Sequence, residues 1–116
     1  MLSKEEINKK IEDLSETVKG IKAEEEKNIS NELKVVLAGS ELQLITLQST
    51  VNVKEEKIRS LVKKFEDRAA ELQLNYENAS LNEDLVEKRK LQAMIWTNDI
   101  RLDTLKWILE EQNEEL

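Results

Sequence analysis

Glu83 and Glu87 stand four residues apart, one turn of a helix, the spacing at which two carboxylates could share a proton or hold a cation. They are one of many such pairs in a chain with 25 acidic residues. Solvated helix faces and i,i+4 pairing with lysines account for pairs of this kind without any reaction. The groups that would turn them into a site are missing. The chain has no His, so it offers no imidazole base, and the Glu-x-x-His ligands of a di-iron bundle are impossible. It has no Cys either, which removes thiol nucleophiles and disulfides and, with His also absent, the usual zinc ligands. No D-x-D-x-D-G calcium loop occurs. Gly20 and Gly39 are the only glycines, too few for a loop that cradles phosphate. Catalysis would rest on Ser, Thr, Lys, Tyr and carboxylates alone. The expectation is a non-enzyme with no cofactor, no metal and no small-molecule substrate.

Charge narrows the partners. The net charge is -7, which disfavours nucleic-acid backbones and anionic membrane surfaces. The basic string Lys88-Arg89-Lys90 is short and follows Glu83, Asp84 and Glu87, so it reads as a solvated helix turn. No apolar run approaches the roughly 20 residues that span a bilayer, and the first residues lack the apolar core of a secretory signal. A cytoplasmic or nuclear protein, with no nucleic acid and no membrane among its partners, is the default expectation.

The elements that would position any site are helices. Leu, Glu and Lys lead a composition in which 37% of residues are charged, there is no Pro, and 116 residues suit one domain. Apolar spacing predicts helices at about 3–25, 29–50, 53–77 and 81–110, followed by an acidic tail over 110–116. In the first, Ile7, Ile11, Leu14, Val18 and Ile21 recur at 4, 3, 4, 3, behind a capping box of Ser3 and Glu6. A turn is expected near 26–30, with Asn28 or Ser30 as the next cap. The second helix carries apolar residues on two sides: Leu33, Val36, Leu37, Leu44, Leu47 and Val51 on one, Val35, Ala38, Leu42 and Ile45 on the other. That pattern predicts a central helix touched on both sides, with Gly39 permitting close approach. The run Ser49 to Val53 predicts a break, with Asn52 and Glu55 at capping spacing. The third helix would bury Ile58, Leu61, Val62, Phe65, Ala69, Leu72 and Tyr76 and close at Asn75–Ala79. Ser80 and Glu83 would then cap the last.

That last helix has two faces. Leu91, Ile95, Asn98, Leu102, Leu105 and Leu109, continued by Gln112 and Leu116, form a heptad seam with polar residues at two inner positions. A seam of this kind serves an oligomer or a neighbouring helix alike, and Asn98 would fix register within it or meet water at its edge. On the opposite side, Trp96 and Trp107 point the same way within about 20°, with Ile100 between them. Arg89, Asp99 and Asp103 flank them. Two readings stay open: both indoles fill core space, or Trp96, Ile100 and Trp107 form an anchor patch for a partner helix, a role in which Trp is enriched.

One family comparison arises from short strings. Glu87-Lys-Arg-Lys90 followed by Leu102-Asp-Thr-Leu-Lys106 resembles the end of a BAG co-chaperone domain, and Glu12-Asp-Leu14 with Gly20-Ile21 is similar to that family's first helix. The hydrophobic-Gln step of that pattern is absent, since Thr97 and Asn98 stand at its place. The resemblance implies a three-helix bundle that binds the ATPase domain of Hsp70. The residues themselves lead to an all-α protein, a three- to four-helix antiparallel bundle or helical-hairpin coiled-coil assembly. Its expected function is non-catalytic protein–protein interaction, as an adaptor or small structural subunit, with a homodimeric coiled-coil scaffold as the alternative.

Overall fold

A computed structural model describes residues 1–25 and 30–110. The chain is all-α, with four helices: α1 (Lys4–Glu25), α2 (Asn31–Thr50), α3 (Glu55–Leu81) and α4 (Leu85–Ile108). Local chemistry accounts for most of the boundaries. The Ser3–Glu6 box is formed in both directions, the Glu6 amide donating to Ser3 Oγ at 3.2 Å and the Ser3 amide to Glu6 Oε1 at 3.4 Å. Ser30 caps α2 by accepting the Leu33 amide at 3.2 Å. The alternative cap, Asn28, lies outside the described residues, as do the rest of the turn at 26–29 and the tail beyond Glu110, with Gln112 and Leu116 of the seam.

Two caps differ from the sequence expectation. Helix α3 starts behind Lys54, with no side-chain cap bond. Asn52 cannot serve, because Thr50 to Val53 closes a turn, with the Val53 amide on Thr50 O at 3.0 Å. At its far end α3 runs through the expected stop at Asn75–Ala79, because Leu72 and Ala79 continue its apolar face and are buried with Leu91 of α4. Its end is a Schellman turn: the Asp84 amide reaches Ala79 O at 3.0 Å and the Glu83 amide reaches Ser80 O at 3.2 Å. Glu83 takes the left-handed conformation there, at φ 55°. The residue that caps α4 is Asp84, accepting the Glu87 amide at 3.1 Å. Glu83 and Glu87 therefore do not share a helix.

The helices pair as two antiparallel hairpins, α1 with α2 and α3 with α4. All four meet at one end. The most completely buried side chains, Ile7, Leu47, Ile58, Leu105 and Ile108, come from all four helices and belong to a single cluster. Burying each contributes roughly 1.5–3 kcal/mol. The Leu2 amide donates to Ile108 O at 2.8 Å and ties the start of the chain to the same end. Away from this junction each hairpin has its own small core: Val18, Ile21 and Leu37 in the first, Leu72, Ala79 and Leu91 in the second. The outcome is a flat molecule of 48 × 43 × 27 Å. Its Cα radius of gyration is 16.2 Å, against about 13 Å for a compact domain near this length. The three-helix bundle implied by the likeness to BAG domains is not the architecture found.

Candidate interaction surfaces

Helix α4 lies between α3 and α2, and its two faces divide between them. The heptad side turns to α3. Leu91, Asn98, Leu102, Leu105 and Leu109 are buried and Ile95 is half-buried, all within the chain. The seam read as a surface for an oligomer is thus occupied by this chain's own helices. Asn98 does not meet water. It is 4% exposed, and its Nδ2 donates to Phe65 O of α3 at 3.0 Å. Gln92 Nε2 to Tyr76 Oη at 3.2 Å and Lys106 Nζ to Glu66 Oε2 at 3.7 Å join the same two helices further along.

The tryptophan side turns to α2. Trp96 and Ile100 lie against Gly39, where an added Cβ would sit 3.7 Å from Trp96 Cζ2 and 3.6 Å from Ile100 Cδ1. These are ordinary contact distances. Gly39 stands at the crossing, yet the crossing is not so close that only glycine fits. Further along, Gln43 and Leu47 of α2 share a recess of about 160 Å³ with Asp103, Thr104 and Trp107. Rising numbers on α2 meet rising numbers on α4, so the two run parallel. Lys10 of α1 places its ammonium 6.0 Å from the Trp107 ring centroid.

The residues proposed from sequence as one patch are therefore distributed. Ile100 and Trp107 are half-buried between helices, and Trp107 packs on the junction core. Asp103 is exposed at the rim of the recess beside Trp107. Arg89 and Asp99 are exposed and line neither that recess nor the notch beside Trp96. Of the three apolar members, Trp96 alone remains substantially open, at 39%. It borders a shallow notch of about 420 Å³ completed by Lys34, Val35 and Ala38.

That notch belongs to a larger feature. Helix α2 meets α1 on one side and α4 on another, and both take their share of its apolar residues. The side holding Val35, Ala38, Leu42 and Ile45 is left with little cover. Val35 is 56% and Ile45 59% exposed, Ala38 is exposed and Leu42 half-buried. The expectation that α2 is covered on both apolar sides is corrected here, because two neighbours about 120° apart around a helix leave the remaining arc open. The four residues recur at 3, 4, 3, the spacing of a helix-pairing seam. Lys34 and Glu41 are the only charges on the helix beyond Glu32.

Among the described residues no group of three or more His, Cys, Asp or Glu could hold a metal ion. No helix among them is long and apolar enough to cross a membrane. No protein-family model, curated protein or solved structure matches this chain.

Proposed function

We propose that this chain is a non-catalytic protein–protein interaction module, an adaptor or small subunit, and that α2 is its docking helix. The observation that carries the reading is the stripe Val35, Ala38, Leu42 and Ile45, heptad-spaced and largely uncovered, with Trp96 at its edge. Apolar side chains at this spacing suit a second helix laid along them, and the ring of Trp96 supplies a large contact area at small entropic cost. The stripe plays little part in folding, since the buried clusters of the molecule are made by other residues.

The test uses a photo-crosslinking amino acid placed at Ala38, with a control at Glu12 on the exposed side of α1. Crosslinks to one protein from position 38 and not from position 12, abolished by Val35→Glu with Ile45→Glu, support the reading. No crosslink from position 38 in cells refutes it. Light scattering on the purified chain separates the two kinds of partner. A mass of 13.5 kDa at every concentration points to a different protein. Twice that mass, lost in the glutamate double variant, makes the stripe the interface of a homodimeric scaffold.

A further inference from the structure

One side of the α3–α4 hairpin is cationic in a chain whose net charge is -7. At 100° per residue, Lys57, Lys64 and Arg68 fall within about 40° of one another on α3, with Glu71 about 20° beyond Lys64 at the edge of that arc, and Lys90 and Arg101 fall within about 20° on α4. Arg68 and Arg101 face a shared groove of about 240 Å³ with Phe65, Met94 and Thr97 in its walls. No acidic residue lines the groove. Neither arginine has an ion-pair partner among the described residues, although Asp67 and Glu71 are near in sequence on α3. The bond from Asn98 to Phe65 O crosses the same groove and fixes the register of the two helices. Two exposed arginines, one from each helix, thus line one groove together with Phe65, Ala93 and Met94.

We propose that this groove binds a short acidic segment of a partner protein, two carboxylates meeting Arg68 and Arg101 while an apolar side chain lies on Phe65 and Met94. Guanidiniums match carboxylates in planar, paired hydrogen bonds. The apolar floor is what distinguishes a peptide from a free anion. A long polyanion such as nucleic acid would also meet the acidic remainder of the chain, whereas a short segment samples only the local field. The site lies on the hairpin that does not carry the α2 stripe, so it stands or falls apart from the docking role of that stripe.

The probe is a fluorescein-labelled octapeptide of six glutamates and two leucines, followed by anisotropy on the full chain. Saturable binding is expected, weakened about tenfold by Arg68→Gln or by Arg101→Gln, the loss of one charge-assisted contact. It should weaken further as salt is raised, and stay unchanged in Lys19→Gln on α1 and in the Val35→Glu, Ile45→Glu variant. Circular dichroism of each variant checks that it is folded. Replacing the glutamates with glutamines should abolish binding. Three outcomes would overturn the proposal: no binding, binding indifferent to both arginine substitutions, or displacement of the peptide by inorganic phosphate at equal concentration. Tighter binding of a single-stranded oligonucleotide of the same length would also overturn it, in favour of a nucleic-acid surface.

Discussion

Asn98 is the residue at which this structure can be tested most sharply. It is buried in the seam between α3 and α4, and its side-chain amide donates to Phe65 O at 3.0 Å. Phe65 lies well inside α3, so its carbonyl keeps its helical partner when the side-chain donor is removed, and no buried acceptor is orphaned. Asn98→Ala then loses one hydrogen bond, about 1 kcal/mol net. The void left by the shorter side chain adds about 1 kcal/mol. The sum, about 2 kcal/mol, should move the urea midpoint down by about 1–2 M at an m-value near 1–2 kcal/mol/M. Asn98→Leu loses the same hydrogen bond but gains apolar burial worth about 1–2 kcal/mol, so its stability should equal or slightly exceed that of the natural chain. Its cost should appear in specificity instead, as broadened amide resonances along α3 and α4 where a wholly apolar seam permits more than one register. Urea unfolding followed at 222 nm measures the first two, and heteronuclear NMR spectra the third. An alanine variant as stable as the natural chain would show that Asn98 is solvated and that the α3–α4 register described above is incorrect.

Other substitutions read separate features. Trp107→Ala, which removes a ring packed on the junction core, should cost about 3 kcal/mol, whereas Trp96→Ala, at 39% exposure, should cost about 1 kcal/mol or less; equal losses in urea unfolding would contradict this division of the two indoles. Glu83→Gly relieves a non-glycine residue at φ 55° and should stabilise by about 1 kcal/mol, read as a rise in melting temperature; no rise would argue against the Schellman turn. Gly20→Ala, with no atom within 4 Å of the new methyl group, should stabilise by about 0.5–1 kcal/mol. Gly39→Ala should gain a similar amount, its methyl meeting Ile100 and Trp96 at ordinary distance; a loss there would mean that α2 and α4 pack more tightly than described.

Periodicity and capping chemistry are local, and they carried far. The spacing of Ile7, Leu14, Val18 and Ile21 marks the buried face of α1, and Ser3 and Ser30 cap where their residue types suggest. The end of α3 was hidden because a left-handed position is normally announced by glycine, and Glu83 occupies this one. Asp84, one residue later, then became the cap in place of Ser80. The heptad of α4 predicts an apolar interface but holds no information on which helix fills it. That depends on how the hairpins assemble, and here α3 of the same chain does so. The tryptophans show the same limit. Their common direction is fixed by helix geometry, but their unequal exposure follows from the four-helix junction, which packs on Trp107 and does not include Trp96.

The open stripe on α2 is a consequence of how the apolar residues are apportioned. A helix apolar on two sides needs covering neighbours on opposite flanks. In this fold α1 and α4 stand on adjacent flanks, and α3, which could have covered the third, is committed to α4 by the seam and by Asn98. Closing the two hairpins into a square four-helix bundle would require α3 to surrender Leu72, Ala79 and their partners on α4, a loss of several kcal/mol, to cover Val35 and Ile45. The flat two-hairpin arrangement keeps the three buried clusters of the described residues intact and leaves the surplus on α2 exposed. Exposed valine and isoleucine side chains at heptad spacing, with Trp96 of α4 beside them, are a standing liability for self-association. The docking role proposed for α2 would remove that liability by covering the face, in a helix whose only charges are Glu32, Lys34 and Glu41.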